Sequence, residues 1–221
     1  MNIFHLNRRE FLKSSALAGG GLILGLSTFP KLAQAGGELA MPPYLRIDQD
    51  GGIHLGVPSS EMGQGTHTTL AMLVAEELEV EMEHIQHIET LHHPDFKNGY
   101  LKTLAPKFNF QGTGGSSSIQ AWHQPFRKLG ATARELLRTA AANKWNIPVY
   151  ECRATNGRVE HHQSAQSLGY GELASSASRL TLPINPTLKS PEEFRLLGRA
   201  IPRWDTPAKV NGSAVFGTDV D

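Results

Sequence analysis

Residues 61–68, with the sequence EMGQGTHT, combine two glycines, an amide side chain, two hydroxyls and a histidine in one short stretch, which we call loop A. A helical pattern follows directly, so the loop lies where a helix begins. Glycine lets a backbone approach a ligand closely, and the amide groups at the start of a helix favour a negatively charged group. Loop A is therefore a candidate anion-binding segment.

Residues 110–118, with the sequence FQGTGGSSS, form a second stretch of this kind, which we call loop B, and it too leads into a helical pattern. Together the two loops could hold a ligand with more than one phosphate, such as a pyrophosphate-linked cofactor. Neither loop ends in the Gly-Lys-Ser/Thr of a P-loop, and neither contains the G-x-G-x-x-G of a Rossmann fold. On the residues alone, an ordinary turn with a helix cap explains each loop equally well.

Two further groups of polar residues, a glutamate pair and a histidine pair, give no prediction of a catalytic residue or a metal ligand. Glu76 and Glu77 are neighbours on a helix, where adjacent side chains do not face each other, so we expect them on its exposed face. His84 and His87 lie three apart in a predicted strand and thus on opposite faces. This spacing favours surface histidines over a metal site.

The composition limits the class of protein. The chain has 221 residues with 21 basic and 21 acidic side chains, and the resulting zero net charge argues against a nucleic-acid binder. Its single cysteine, Cys152, excludes a disulfide framework, a Cys-ligated zinc site and an iron–sulfur cluster within the chain.

Strand and helix patterns alternate, which predicts a mixed α+β fold in which β-hairpins and two loop-to-helix segments carry the candidate site. The predicted strands span residues 44–48, 53–57, 85–89, 149–155 and 158–162. Helices are predicted at 68–78, after loop B with a kink or break at Pro125, and at 169–180. Residues 91–110 are expected to be irregular.

The first 35 residues have the features of an export signal. Arg8 and Arg9 precede an apolar stretch at 16–29, and Ala33-Gln34-Ala35 is typical of a cleavage site. The arginine pair followed by Phe-Leu-Lys resembles the bacterial twin-arginine signal, which is associated with proteins that fold around a cofactor before export. We expect a periplasmic protein without a stable membrane span; an ordinary secretory signal or an uncleaved anchor is the alternative.

Four motifs, in order, resemble the xanthine dehydrogenase/aldehyde oxidase family of molybdenum hydroxylases, and most closely the large (beta) subunits of the isoquinoline 1-oxidoreductase type. The first is EMGQG in loop A together with the helix that follows, and the second is QGTGGSSSI at 111–119. The third is GYGELA at 169–174, and the fourth runs from Arg203 to Asp219 as R-x-D-x-x-x-K-x-x-G-x-A-x-F-G-x-D. These motifs cover nearly the whole chain.

The resemblance implies that loop A meets the pterin part of a molybdopterin cytosine dinucleotide and that loop B holds its pyrophosphate or its pterin. Gln64 would hydrogen-bond a ring or phosphate oxygen through its amide. The full set of cofactor-contacting residues implied in this way is Gly63, Gln64, Gly65, Thr68, Gly114, Gly115, Ser116 and Ser118.

The resemblance also implies a domain organisation. Residues 1–35 would be the twin-arginine signal, 36–182 the N-terminal part of a molybdopterin-binding domain, 183–198 a linker, and 199–221 the start of an α/β hammerhead-like domain. Family subunits continue beyond this point and carry further cofactor loops and a glutamate base there. We therefore expect an N-terminal fragment that is inactive alone.

The parent enzyme, by resemblance, oxidises N-heterocycles or aldehydes and takes the oxygen atom from water. Its electrons would leave through a small partner subunit with two [2Fe–2S] clusters and onward to a c-type cytochrome. Two alternatives stay open at this point: a non-catalytic truncated remnant, and a periplasmic module that binds an anion or a nucleotide.

Overall fold

The computed structural model describes residues 21–24, 44–92 and 96–219, which form an α+β fold with two small β-sheets, as predicted. The strands are β1 (Leu22–Leu24), β2 (Leu45–Ile47), β3 (Ile53–Val57), β4 (Ile85–Thr90), β5 (Cys152–Thr155), β6 (Arg158–His161) and β7 (Ser167–Gly169). The helices are α1 (Thr66–Leu78), α2 (Gly99–Leu104), α3 (Ser117–Trp145), α4 (Tyr170–Ala177) and α5 (Thr206–Asn211).

The first sheet has the strand order β1-β2-β3-β4. β2 and β3 form the predicted antiparallel hairpin, and β4 pairs in parallel with β3 after the chain has crossed over through α1. β1 pairs with the outer edge of β2. It lies inside the predicted export signal, of which the structure describes only residues 21–24.

The second sheet contains β5, β6 and β7 in that order. Asn156 and Gly157 join β5 to β6 with φ angles of 43° and 75°, as a type I′ hairpin turn requires. The predicted hairpin is thus confirmed, although its first strand starts at Cys152 because Val149–Glu151 forms a 3₁₀ turn. The short strand β7 is not visible in the sequence pattern.

Helices α1 and α3 pack closely and point in the same direction. Gly130 in α3 allows this approach, because a Cβ there would lie 2.6 Å from the Val74 carbonyl oxygen and 2.9 Å from Glu77 Cβ. Ahead of both helices, the Ser60 amide donates to Thr113 Oγ1 at 2.9 Å. Both helix N-termini therefore lie at the same end of the fold.

Of the kink or break predicted at Pro125, the break does not occur, because α3 runs without interruption from Ser117 to Trp145. Trp122 and Phe126, on either side of the proline, are buried against Tyr44 with ring centroids 6.3 and 5.7 Å away. Burial of such aromatic side chains contributes more than the one backbone hydrogen bond that proline removes. Residues 91–110 also differ from the prediction, since they contain α2.

The prediction that Glu76 and Glu77 lie on an exposed face is wrong as well, because both side chains are 0% exposed. Glu77 accepts hydrogen bonds from Arg127 at 2.6 and 2.8 Å and from the Lys189 amide at 3.0 Å. Glu76 Oε2 accepts from three successive amides at 195–197 over 2.7–3.0 Å. The segment that the sequence predicts as a linker thus covers this face of α1.

None of the helices in the described part of the chain is both long and apolar enough to cross a membrane.

Candidate functional site

The structure brings loop A and loop B together. Besides the bond from the Ser60 amide to Thr113 Oγ1, Gln111 Nε2 donates to the Pro58 carbonyl at 2.9 Å and to the Leu91 carbonyl at 2.6 Å. These bonds connect loop B to the chain just before loop A and to the end of β4. The two loops form one surface, which we call the candidate site.

Both helices begin at this surface from a left-handed residue. Gly65 precedes α1 with φ 81°, and Ser116 precedes α3 with φ 53°. Neither residue caps its helix with a side-chain hydrogen bond. The N-terminal dipole ends of two parallel helices therefore meet at the candidate site, and each favours a negative charge.

In loop A this negative charge comes from the chain itself. The Glu61 carboxylate accepts hydrogen bonds from the amides of Gly63 at 2.8 Å, Gly65 at 2.9 Å and His67 at 3.1 Å. Burial raises the pKa of Glu61, but the amide bonds from Gly65, His67 and Gly63 outweigh it and lower the pKa. Loop A therefore does not offer these three amides to an external anion, contrary to our expectation of bare amide groups there.

Gln64 also holds loop A together from within. Its Oε1 accepts from the Met62 amide at 2.6 Å, and its Nε2 donates to the Ser60 carbonyl at 2.8 Å. A carboxamide has two N–H groups and two lone pairs on oxygen, so half of its hydrogen-bonding capacity remains. The side chain is exposed, so a ligand contact by Gln64 stays a prediction.

Thr68 lies in the first turn of α1 and is 6% exposed. Its Oγ1 accepts a hydrogen bond from the Trp204 amide at 2.9 Å, and the hydroxyl proton remains available as a donor. The sequence predicts Thr68 as a cofactor ligand; the structure shows that it also fixes the segment around Trp204 against α1.

Loop B keeps its amides open. Within the described part of the chain, the amides of Gly114, Gly115 and Ser116 donate no hydrogen bond. A Cβ added at Gly114 would meet nothing within 4 Å, although the φ of 151° at this residue disfavours any side chain there. Ser118 is 7% exposed, and its hydroxyl likewise makes no bond to a described residue. Three amides and a hydroxyl at a helix start are the features of an anion-binding loop.

Asn98, which the sequence analysis did not single out, fixes the shape of loop B. It is 1% exposed, and its Nδ2 donates to the Gly112 carbonyl at 3.0 Å and to Ser117 Oγ at 2.8 Å. Ser117 Oγ in turn donates to the Gly114 carbonyl at 2.6 Å. Asn98 Oδ1 caps α2 through the Leu101 amide, and an asparagine before a helical turn is the signal that could have revealed it.

Arg203 approaches loop A from the C-terminal segment. Its NH1 donates to the Gly63 carbonyl at 2.6 Å, and its NH2 lies 3.4 Å from Glu61 Oε1. Asp205 binds the same guanidinium in a fork, at 3.1 Å to Nε and 2.9 Å to NH2. The bonds from Arg203 and from Lys209 lower the pKa of Asp205 to about 2, and the bond to Asp205 raises the pKa of Arg203.

Comparison with known proteins defines the class to which this site belongs. Residues 13–218 match the family model of the molybdopterin cofactor-binding domain, which is nearly the whole chain. The chain belongs to this family of domains. As its motifs predict, it is the molybdopterin cofactor-binding domain of the xanthine dehydrogenase family of molybdenum hydroxylases.

Three curated relatives are similar over most of this chain. The beta subunit of the isoquinoline 1-oxidoreductase of Brevundimonas diminuta is 30% identical over 80% of the chain and 26% of the relative. A nicotinate dehydrogenase subunit of Pseudomonas putida is 29% identical over 83% of the chain and 14% of the relative. A membrane-bound aldehyde dehydrogenase (pyrroloquinoline-quinone) of Gluconacetobacter polyoxogenes is 27% identical over 97% and 28%. The chain thus spans between about one seventh and just over a quarter of the length of these relatives.

Proposed function

We propose that the candidate site holds a molybdopterin cytosine dinucleotide and that loop B binds its negatively charged phosphate part. The observation that carries this proposal is the set of open amides at Gly114, Gly115 and Ser116, placed at the N-terminus of α3. Amides and a helix dipole in this arrangement stabilise a phosphate without a charged side chain. In loop A the corresponding amides already bind Glu61, which favours loop B for the phosphate.

The residues present fit such a cofactor. Ser116 and Ser118 add hydroxyl donors at loop B, and Gln64 and Thr68 keep donor capacity at loop A. A Cβ at Gly63 or Gly65 would meet nothing within 4 Å, so there is room for a ligand beside loop A. We propose that loop A contacts the pterin part through Gly63, Gln64, Gly65 and Thr68.

The parent reaction that we propose is the oxidation of an N-heterocycle or an aldehyde, with water as the source of oxygen. The names of the three relatives support these two substrate classes. Molybdenum, when bound, would supply Lewis-acid activation of water. The residues of this chain contribute binding and orientation: loop B holds the charged end of the cofactor, and loop A fixes its opposite end. By the resemblance of its motifs, electrons would leave through a small iron–sulfur subunit and a c-type cytochrome. The single cysteine of this chain cannot itself ligate a cluster.

The first test is the chemical identity of the bound cofactor. We expect the protein, purified from a host that makes the molybdenum cofactor, to contain molybdenum and to release an equal amount of cytidine monophosphate on acid treatment. The parent enzyme, reconstituted with its redox partners, is expected to transfer oxygen-18 from labelled water into the product, whereas this chain alone is expected to be inactive. Purified protein that contains neither molybdenum nor nucleotide would contradict the proposal. Extraction of pyrroloquinoline quinone would instead indicate the cofactor that the name of the third relative contains.

The apolar N-terminus and its arginine pair support export by the twin-arginine pathway. Replacement of Arg8 and Arg9 by lysine is expected to leave the protein in the cytoplasm with its N-terminus intact, since that pathway recognises the arginines themselves. Cell fractionation and N-terminal sequencing measure this, with the mature protein expected to start near Gly36. A doubly substituted protein that still reaches the periplasm would instead indicate an ordinary secretory signal.

A further inference from the structure

The shape of loop A depends on one ionic contact that comes from far along the chain. Glu61 bonds to three amides of the loop, and its side chain is only 10% exposed. Arg203 reaches it across 142 sequence positions and contacts both the carboxylate and the Gly63 carbonyl. The Arg203 guanidinium thus contacts both Glu61, which bonds to three amides of loop A, and the backbone of the loop.

Asp205 determines where that guanidinium lies. It holds Nε and NH2 of Arg203 in a two-bond fork, a geometry that a planar guanidinium and a carboxylate form with high directional preference. Lys209, one turn further along α5, also contacts Asp205. The neighbouring Trp204 amide bonds to Thr68, so the backbone between Arg203 and Asp205 is fixed against α1.

We propose that Arg203 and Asp205 are positioning residues of the candidate site, which act through Glu61 to keep loop A in its ligand-accepting shape. The R-x-D-x-x-x-K spacing at 203–209 then has a physical role: arginine holds the loop, aspartate orients the arginine, and lysine balances the aspartate. The inference rests on the proposed function only in taking loop A as part of the cofactor site.

The test is the hydrogen exchange of the loop A amides in the full chain, measured by mass spectrometry. In Arg203→Gln and in Asp205→Asn, we expect the amides of Gly63, Gly65 and His67 to exchange at least about tenfold faster than in the wild type. Exchange in the middle of α3 should stay unchanged, which separates a positioning role from a loss of global stability. Arg199→Gln is the matched control, because Arg199 is exposed in the same segment and its side chain makes no bond to a described residue.

Amide exchange in a Glu61→Gln variant and the cofactor occupancy of the variants complete the test. Glu61→Gln should speed exchange at the same three amides, because a carboxamide offers one acceptor oxygen in place of two. Unchanged exchange in both Arg203→Gln and Asp205→Asn, or equal acceleration throughout the protein, would overturn the inference. Faster exchange at loop A with full cofactor occupancy would confirm the positioning of the loop and instead contradict its proposed role in cofactor binding.

Discussion

The free energy of unfolding of a Glu77→Ala variant is expected to be about 3–5 kcal/mol lower than that of the wild type. The Glu77 side chain is fully buried and lies between two arginines, with Arg127 at 2.6 Å and Arg134 at 3.3 Å. Both arginine side chains are themselves only 10% exposed. Removal of the carboxylate leaves two buried cations without their counter-charge, and the desolvation cost of those cations then acts against the folded state.

Chemical denaturation of the purified full chain measures this loss. Glu83→Ala is the matched control, because Glu83 is exposed and has no ion pair among the described residues; its effect should stay within about 0.5 kcal/mol. Equal stability of the two variants would show that the pairs of Glu77 with Arg127 and Arg134 do not hold the C-terminal segment on α1 and α3.

Asn98→Leu is expected to lower cofactor occupancy by at least about tenfold while the fold is retained. Leucine has the branched shape of asparagine but makes no hydrogen bond, so the Leu101 amide and the Gly112 carbonyl lose their partner. Ser117 Oγ loses a donor but keeps its bond to the Gly114 carbonyl. Each polar group left unsatisfied in a buried site costs about 1–3 kcal/mol, and about 1.4 kcal/mol corresponds to a tenfold change in binding. We expect loop B to relax around these groups, which would spread the amides that we propose to bind the phosphate.

Occupancy is measured as molybdenum and cytidine monophosphate per chain, and circular dichroism checks the fold. Asn109→Leu is the control, since Asn109 lies just before loop B, is exposed and makes no bond to a described residue. A folded Asn98→Leu protein with the occupancy of the wild type would show that the shape of loop B does not determine cofactor binding.

The elements that carry the candidate site follow from local sequence. The helical pattern after loop A predicts a helix at 68–78, and the structure has Thr66–Leu78. Asn156-Gly157 predicts its hairpin because a two-residue turn of this type needs positive φ at both positions, and both are observed. Such features depend on neighbours along the chain, so the sequence alone is sufficient to predict them.

The incorrect prediction of an exposed Glu76 arises from contacts between residues that are far apart in the sequence. The residues around Glu76 on α1 give no reason for burial, so the local pattern predicts an exposed side chain. Its partners are Lys189 and the amides at 195–197, more than 100 positions away. A pattern within one helix cannot reveal a covering segment so far along the chain.

Loop A and loop B differ in whether their amides are free, and this difference also depends on a contact between distant residues. Both have glycines before a helix, and sequence reasoning therefore assigns the same property to both, a set of open amides. In loop A a carboxylate two residues before the first glycine turns back onto those amides, whereas in loop B no acidic residue lies nearby in sequence. The position of Glu61 is visible in the sequence, but its direction depends on Arg203 and becomes evident only in the fold.

The most direct test of cofactor binding at loop B is amide hydrogen exchange with and without the cofactor. The protein is purified from a host that makes the molybdenum cofactor and from one that does not, and peptides over 61–68 and 110–118 are compared. The amides of Gly114, Gly115 and Ser116 are expected to exchange at least about tenfold more slowly in the loaded protein, since each gains an acceptor. Those of Gly63 and Gly65 should change far less, because Glu61 already binds them. Equal exchange at loop B in the two preparations, with the cofactor present in only one, would contradict the account.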